Sequence, residues 1–155
     1  MQLPKFLRDF LIYLTTITGK SQRTRKEYEY DLILFMRFLK AIEEDISLDR
    51  LHTIDISTIT IDQMKEVSLE DLYLFMEYCE VQRGNSSSAR ARKVATLKAF
   101  FKYLKGKRRL IDENPAEHLE TPKIGRRQPV YLNYSEAKIL SALYRSSHIV
   151  RATNA

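Results

Sequence analysis

The sequence predicts an all-α protein. It reads as four amphipathic helices in one domain, then a short extra helix, a basic linker and one C-terminal helix. Apolar residues recur at helical spacing in four separate stretches. Most of these stretches open or close on a recognisable cap. Glycine and proline number only four each in 155 residues, too few for a turn-rich all-β sandwich. Apolar residues at 44% and charged residues at 30% suit a globular chain and not a disordered one.

Leu3, Phe6, Leu7, Phe10, Leu11 and Leu14 mark the first helix, and Gly19 is its expected stop. Ser21 caps a second helix with the stripe Tyr28, Leu32, Phe35 and Leu39. From Glu43 to Val67 the helical signal fades. Ile54 to Ile61 alternates and is β-branched, which fits either a short strand or an extended loop, and no partner strand is evident. Ser68 and Asp71 form a capping box for a third helix through Leu72, Phe75, Met76 and Cys79, ended by Arg83-Gly84-Asn85. Ser86, Ser87 or Ser88 caps a fourth helix with the core stripe Val94, Leu97, Phe101 and Leu104. Asn114-Pro115-Ala116 starts the short extra helix. Residues 120–132 read as a basic linker. Asn133 to Glu136 is a further capping box, followed by Ile139, Leu140 and Leu143.

Several function classes are excluded by what the sequence lacks. A single cysteine, Cys79, allows neither an internal disulfide framework nor a cysteine-based zinc cluster, and its place between apolar neighbours makes it a small core residue. His52, His118 and His148 are scattered without ligand spacing, so no metal is expected. There is no glycine-rich phosphate loop, no carboxylate pair stands out from a solvated acidic face, and no cofactor is implied. No apolar run approaches the ~18 residues that span a bilayer. The N-terminus does not read as a signal peptide, so a reducing, cytoplasmic location is the default. The phenylalanines sit on apolar stripes and read as core, not as base-stacking platforms.

Charge is unevenly placed. Residues 1–40 carry net +4, residues 41–80 net −9, residues 81–127 net +9 and residues 128–155 net +2. Such blocks suggest an oriented surface that meets a polyanion on one side. The basic groups crowd two helix starts: Ser21, Arg23, Thr24, Arg25 and Lys26 on the second helix, and Ser87, Ser88, Arg90, Arg92 and Lys93 on the fourth. Cations there oppose the helix dipole, which favours anions at an N-terminus. Hydroxyls, cations and free N–H groups together suit phosphate oxygens. On a helical wheel Arg92, Thr96, Ala99 and Tyr103 lie opposite the core stripe, a small-residue face able to approach a DNA groove. Lys123, Arg126 and Arg127 add a basic tether that would track phosphates.

Three segments resemble the N-terminal core-binding domain of tyrosine site-specific recombinases of the phage-integrase and Xer type. Ser21 to Thr24 with Tyr28, Asp31, Leu32, Phe35 and Leu39 is similar to the family's second helix. Ser87 to Lys93 with Leu97, Phe100, Phe101, Tyr103 and Leu104 is similar to its DNA-facing fourth helix. Asn114-Pro115-Ala116, Leu119, Pro122-Lys123, Pro129 and Leu132 resemble the hinge into the catalytic domain.

The resemblance implies an orthogonal four-helix, SAM-like domain over residues 1–119, the linker over 120–132 and the start of a catalytic domain over 133–155. It implies a double-stranded DNA half-site as ligand and sister recombinase subunits, four on two sites, as partners. Family catalysis uses a tyrosine nucleophile and arginine-assisted phosphoryl transfer in a further domain of roughly 180 residues. This chain reaches about twenty residues into it, so on its own it is expected not to cut DNA. His148-Ile-Val-Arg151 spells the family's H-x-x-R but comes too early to be that motif. A stand-alone helical DNA-binding regulator or directionality factor, and a helical protein-interaction domain, are the alternatives.

Overall fold

The computed structural model describes residues 1–123. The main helices are α1 (Lys5–Thr16), α2 (Gln22–Glu43), α4 (Leu69–Val81) and α5 (Ser87–Lys102), with a five-residue α3 (Ile61–Lys65) between α2 and α4. A 3-10 segment spans Leu48–Thr53, and a wider π turn over Tyr103–Lys107 continues α5. Among the described residues there is no strand.

Local chemistry sets the helix ends where the sequence places them. The Ser21 hydroxyl accepts from the Thr24 N–H at 3.1 Å, and Ser68 and Asp71 close a reciprocal capping box. Of the three serines before α5, Ser86 is the cap and accepts from the Ala89 N–H at 3.1 Å. Gly19 and Gly84 take left-handed φ values of +71° and +64°, where a Cβ would be strained. The chain then closes back through Lys20 N–H to the Leu14 carbonyl and Asn85 N–H to the Cys79 carbonyl, each 3.0 Å.

Phe6, Leu7, Phe10, Leu11 and Leu14 of α1 are buried, as are Leu32 and Phe35 of α2, Leu72, Phe75 and Cys79 of α4, and Val94, Leu97, Phe100 and Phe101 of α5. Helix α5 is the element the others share. Phe100 meets Phe10 of α1 edge-on at 5.4 Å, and Phe101 meets Phe35 of α2 at 6.1 Å.

Within the stretch from Ile54 to Ile61 there is no strand: residues 54–60 form a loop with a turn at Ser57 and Thr58, and Ile61 opens α3. Ile54, Ile56 and Ile59 are buried. Two of the loop's carbonyls are taken by α2 side chains and a third, that of Ile56, by the Ile59 N–H. Arg37 Nε donates to the Ile54 oxygen at 3.2 Å, and Lys40 Nζ to the Asp55 oxygen at 2.6 Å.

The short extra helix expected at Asn114 is not formed; residues 115–118 are turn. Asn114 Oδ1 accepts from the Ala116 N–H at 2.9 Å in the capping manner, but the chain makes only two successive turns, Glu117 N–H to the Asn114 carbonyl and Leu119 N–H to the Ala116 carbonyl. Ala116 and Leu119 are buried at 1% exposure, so the turn is held by packing, not by length.

Candidate nucleic-acid interface

The first turns of α2 and α5 contain no acidic residue, unlike those of α3 and α4. On α2, Ser21 and Thr24 bond to each other through their hydroxyls at 3.0 Å. Arg25 Nη1 donates to the Thr15 hydroxyl at 3.4 Å, while Lys26 is exposed and makes no ion pair with the described residues. The Arg23 side chain is 90% exposed and lies 3.6 Å from Glu27, a weak surface pair. On α5, Ser87 is half-buried and Ser88 exposed, with no recorded hydrogen bond from either hydroxyl to the described residues. Arg90 reaches Glu80 at 3.3 Å through Nη1, while its buried Nε has no partner.

The centre of the site is Asp31 of α2, 2% exposed, facing α5. Arg92 grips it with Nη2 to Oδ1 at 2.9 Å and Nε to Oδ2 at 3.2 Å. Lys93 Nζ lies 3.3 Å from Oδ1, and the Thr96 hydroxyl 3.1 Å from Oδ2. The hydrogen bonds that Arg92 donates to Asp31 hold its guanidinium above its ordinary pKa. Glu27 contributes to the same shift, and it also pairs with Arg23. Arg23, Glu27 and Asp31 follow one another at four-residue spacing on α2, so Arg23 stands two turns before Asp31 on the face of α2 that meets Arg92.

Two expectations about α5 need correction. Lys93 and Thr96 do not face outward; they are 2% and 0% exposed. Asp31 draws both inward, because a buried carboxylate must be paired and hydrogen-bonded. Tyr103 is also turned in, with its ring 5.3 Å from Phe10 and 4.9 Å from Tyr13 of α1. Helix α5 packs on α1, α2 and α4, so its buried surface is wider than one stripe. Arg92 remains at the boundary, with its side chain 37% exposed.

Three residues beyond the expected set join the site. Asp31 organises it. Arg83 donates to the Tyr30 hydroxyl at 2.5 Å and stands 6.0 Å over the Tyr30 ring, as does Lys93 Nζ. The signal for Asp31 was present: an acid set among Tyr28, Leu32 and Phe35 on the apolar stripe of α2. Arg83 reads from sequence only as part of a helix stop. Lys123 is exposed at the edge of the described residues, and Arg126 and Arg127, with the rest of the linker, the expected C-terminal helix and His148 to Arg151, lie outside them.

Comparison with known proteins decides the family. Tyrosine recombinase XerC of Caldanaerobacter subterraneus subsp. tengcongensis is 43% identical over 144 residues, 90% of this chain and 40% of the relative. The chain is a homologue of the N-terminal region of tyrosine recombinases. A tyrosine recombinase of Pseudothermotoga lettingae is 33% identical over 139 residues, and tyrosine recombinase XerD of Listeria monocytogenes serovar 1/2a is 32% identical over 139. The chain spans about two-fifths of the length of these recombinases, whose matched part is N-terminal. No family model matches the chain. No solved structure matches it. Among the described residues of this recombinase region, no helix is long and apolar enough to cross a membrane.

Proposed function

We propose that this chain is the DNA-gripping N-terminal arm of a tyrosine recombinase that acts on chromosomal or mobile-element DNA in the cytoplasm. It binds one double-stranded half-site, and sister subunits assemble beside it on two such sites. The strand-transfer chemistry belongs to a catalytic domain. The observation that carries this reading is two acid-free, serine-capped helix starts, with Arg23 set two turns before Asp31 on the face of α2 that pairs with Arg92 of α5. A polyanion lying along that face would meet the exposed cations of both helix starts, and acid-free helix N-termini favour negative charge.

The contacts sort into two kinds. Arg23, Arg25, Lys26, Ser87, Ser88 and Arg90, with Lys123, Arg126 and Arg127 of the tether, bind phosphates and position the arm. Arg92, with Arg83 and Tyr30 nearby, is the group placed to reach a base edge. Lys93 and Thr96 act through Asp31 and hold α5 in place.

A gel-shift titration of the chain against duplex DNA tests the reading. Binding that weakens steeply with salt, and that weakens further in Arg90→Ala and Arg92→Ala, supports it. Unchanged titrations in both variants overturn the face proposed here. Competition by duplex DNA against any captured acidic protein separates it from a protein-interaction domain.

A further inference from the structure

We infer that Arg92 is a releasable donor, parked on Asp31 in the free protein and handed to DNA on binding, while Lys93 and Thr96 keep the buried carboxylate satisfied. The inference rests on the duplex-binding reading above and adds a conformational step to it.

Asp31 has more partners than it needs. Two cations face one carboxylate, so the cluster carries an excess of one positive charge. With Arg92 removed, Oδ1 keeps the Lys93 ammonium at 3.3 Å and Oδ2 keeps the Thr96 hydroxyl at 3.1 Å. Each oxygen retains a partner and the remaining pair is neutral. The Thr96 hydroxyl also lies 3.1 Å from the Arg92 carbonyl, but its one proton goes to the stronger acceptor, the carboxylate.

The two cations differ in freedom. The Lys93 side chain is 3% exposed and enclosed beneath the Tyr30 ring, whereas that of Arg92 is 37% exposed. Lys93 cannot leave; Arg92 can. A guanidinium pairs with a phosphate or with a guanine edge through the same two-pronged geometry it uses on Asp31, so the exchange replaces like with like. Without Lys93 the same departure would strand a buried charge, which is strongly unfavourable.

The test uses the 155-residue chain labelled with nitrogen-15 and a mixed-sequence duplex about three helical turns long, at low salt. The Arg92 Nε–H resonance is assigned by its loss in Arg92→Lys. On adding duplex it shifts, while the Lys93 ammonium resonance stays in place. In parallel, Arg92→Ala and Lys93→Met each lower affinity by about tenfold and the salt slope by about one, and the double variant falls no further. The loss in Lys93→Met is the sign of coupling, since Lys93 itself is buried away from DNA. If Lys93→Met does not fold, the spectra of the unsubstituted chain carry the test alone. A chain that binds duplex with the Arg92 resonance unmoved, or a folded Lys93→Met that binds as tightly as the parent, overturns this inference and leaves duplex binding standing. A chain that binds no duplex overturns both.

Discussion

Arg92 reaches Asp31 through two hydrogen bonds, 2.9 Å from Nη2 and 3.2 Å from Nε, and so ties α5 to α2 across 61 residues of sequence. Lys93 and Thr96 complete the tie beneath it. The two ends of this cluster contribute differently to stability. Asp31→Ala leaves Lys93 buried without a counter-charge and is expected to cost about 3–5 kcal/mol. Arg92→Ala leaves a neutral, satisfied pair and is expected to cost about 1–2 kcal/mol. Urea unfolding of both variants checks the order. Equal costs would mean that Arg92, and not Lys93, neutralises the buried carboxylate.

Arg23 is expected to behave in the opposite way. Its side chain is 90% exposed and its pair with Glu27 is long, so Arg23→Ala is expected to shift stability by less than about 0.5 kcal/mol. As a phosphate contact it is expected to lower affinity for all duplexes alike and reduce the salt slope by about one. Affinity measured across a salt series on two unrelated duplexes checks both points.

Phe101 separates folding from binding. It is fully buried and meets the rings of Phe35 and Phe100 at 6.1 and 5.2 Å. Phe101→Ala is expected to cost about 3–5 kcal/mol through the cavity it leaves. The folded fraction is expected to bind duplex as the parent does. A denaturant midpoint beside a gel shift corrected for folded fraction checks the pair of outcomes.

What could be read in the sequence follows from how local each signal is. Ser21, Ser68, Gly19 and Gly84 act within one turn of themselves, so the four main helices were legible before any packing was known. The loop over residues 54–60 was not decidable, because the Ile54 and Asp55 carbonyls are satisfied by Arg37 and Lys40, 17 and 15 residues earlier in the chain. Thr96, set on the outer face by the helical wheel, and Lys93, read as a cation of the helix start, both face inward for the same reason. A wheel drawn for α5 alone contains no Asp31, and it is Asp31 that turns them inward. The turn at Asn114 shows the converse: a correct cap does not set a helix's length when Ala116 and Leu119 must reach the core within one turn.

Cys79 gives a prediction in pH. The thiol lies on α4 at 0% exposure, and burial pushes its pKa from 9.0 up to about 12. Lys93, Arg83 and Arg90 pull the value down and Asp31 pushes it up, all weaker than burial. In the unfolded chain the thiol loses its proton near its ordinary value, while the folded chain holds it to about 12. The folded state therefore binds more protons across that interval, and stability falls as pH rises from about 9 towards 12, by up to ~1.4 kcal/mol per unit from this group. Tyr28, Tyr78 and Tyr103 are also raised by burial and add to the decline above their ordinary value of 10.0. Cys79→Ala isolates the thiol's share. The variant is expected to be less stable than the parent at pH 7, with a shallower loss between pH 9 and 10 where the tyrosines contribute least. At pH 8 the parent's thiol is expected to resist alkylation until urea unfolds the chain, because the buried neutral thiol is neither nucleophilic nor accessible. Rapid alkylation of the folded protein would show that α4 opens around Cys79 far more readily than its packing against α2 and α5 implies.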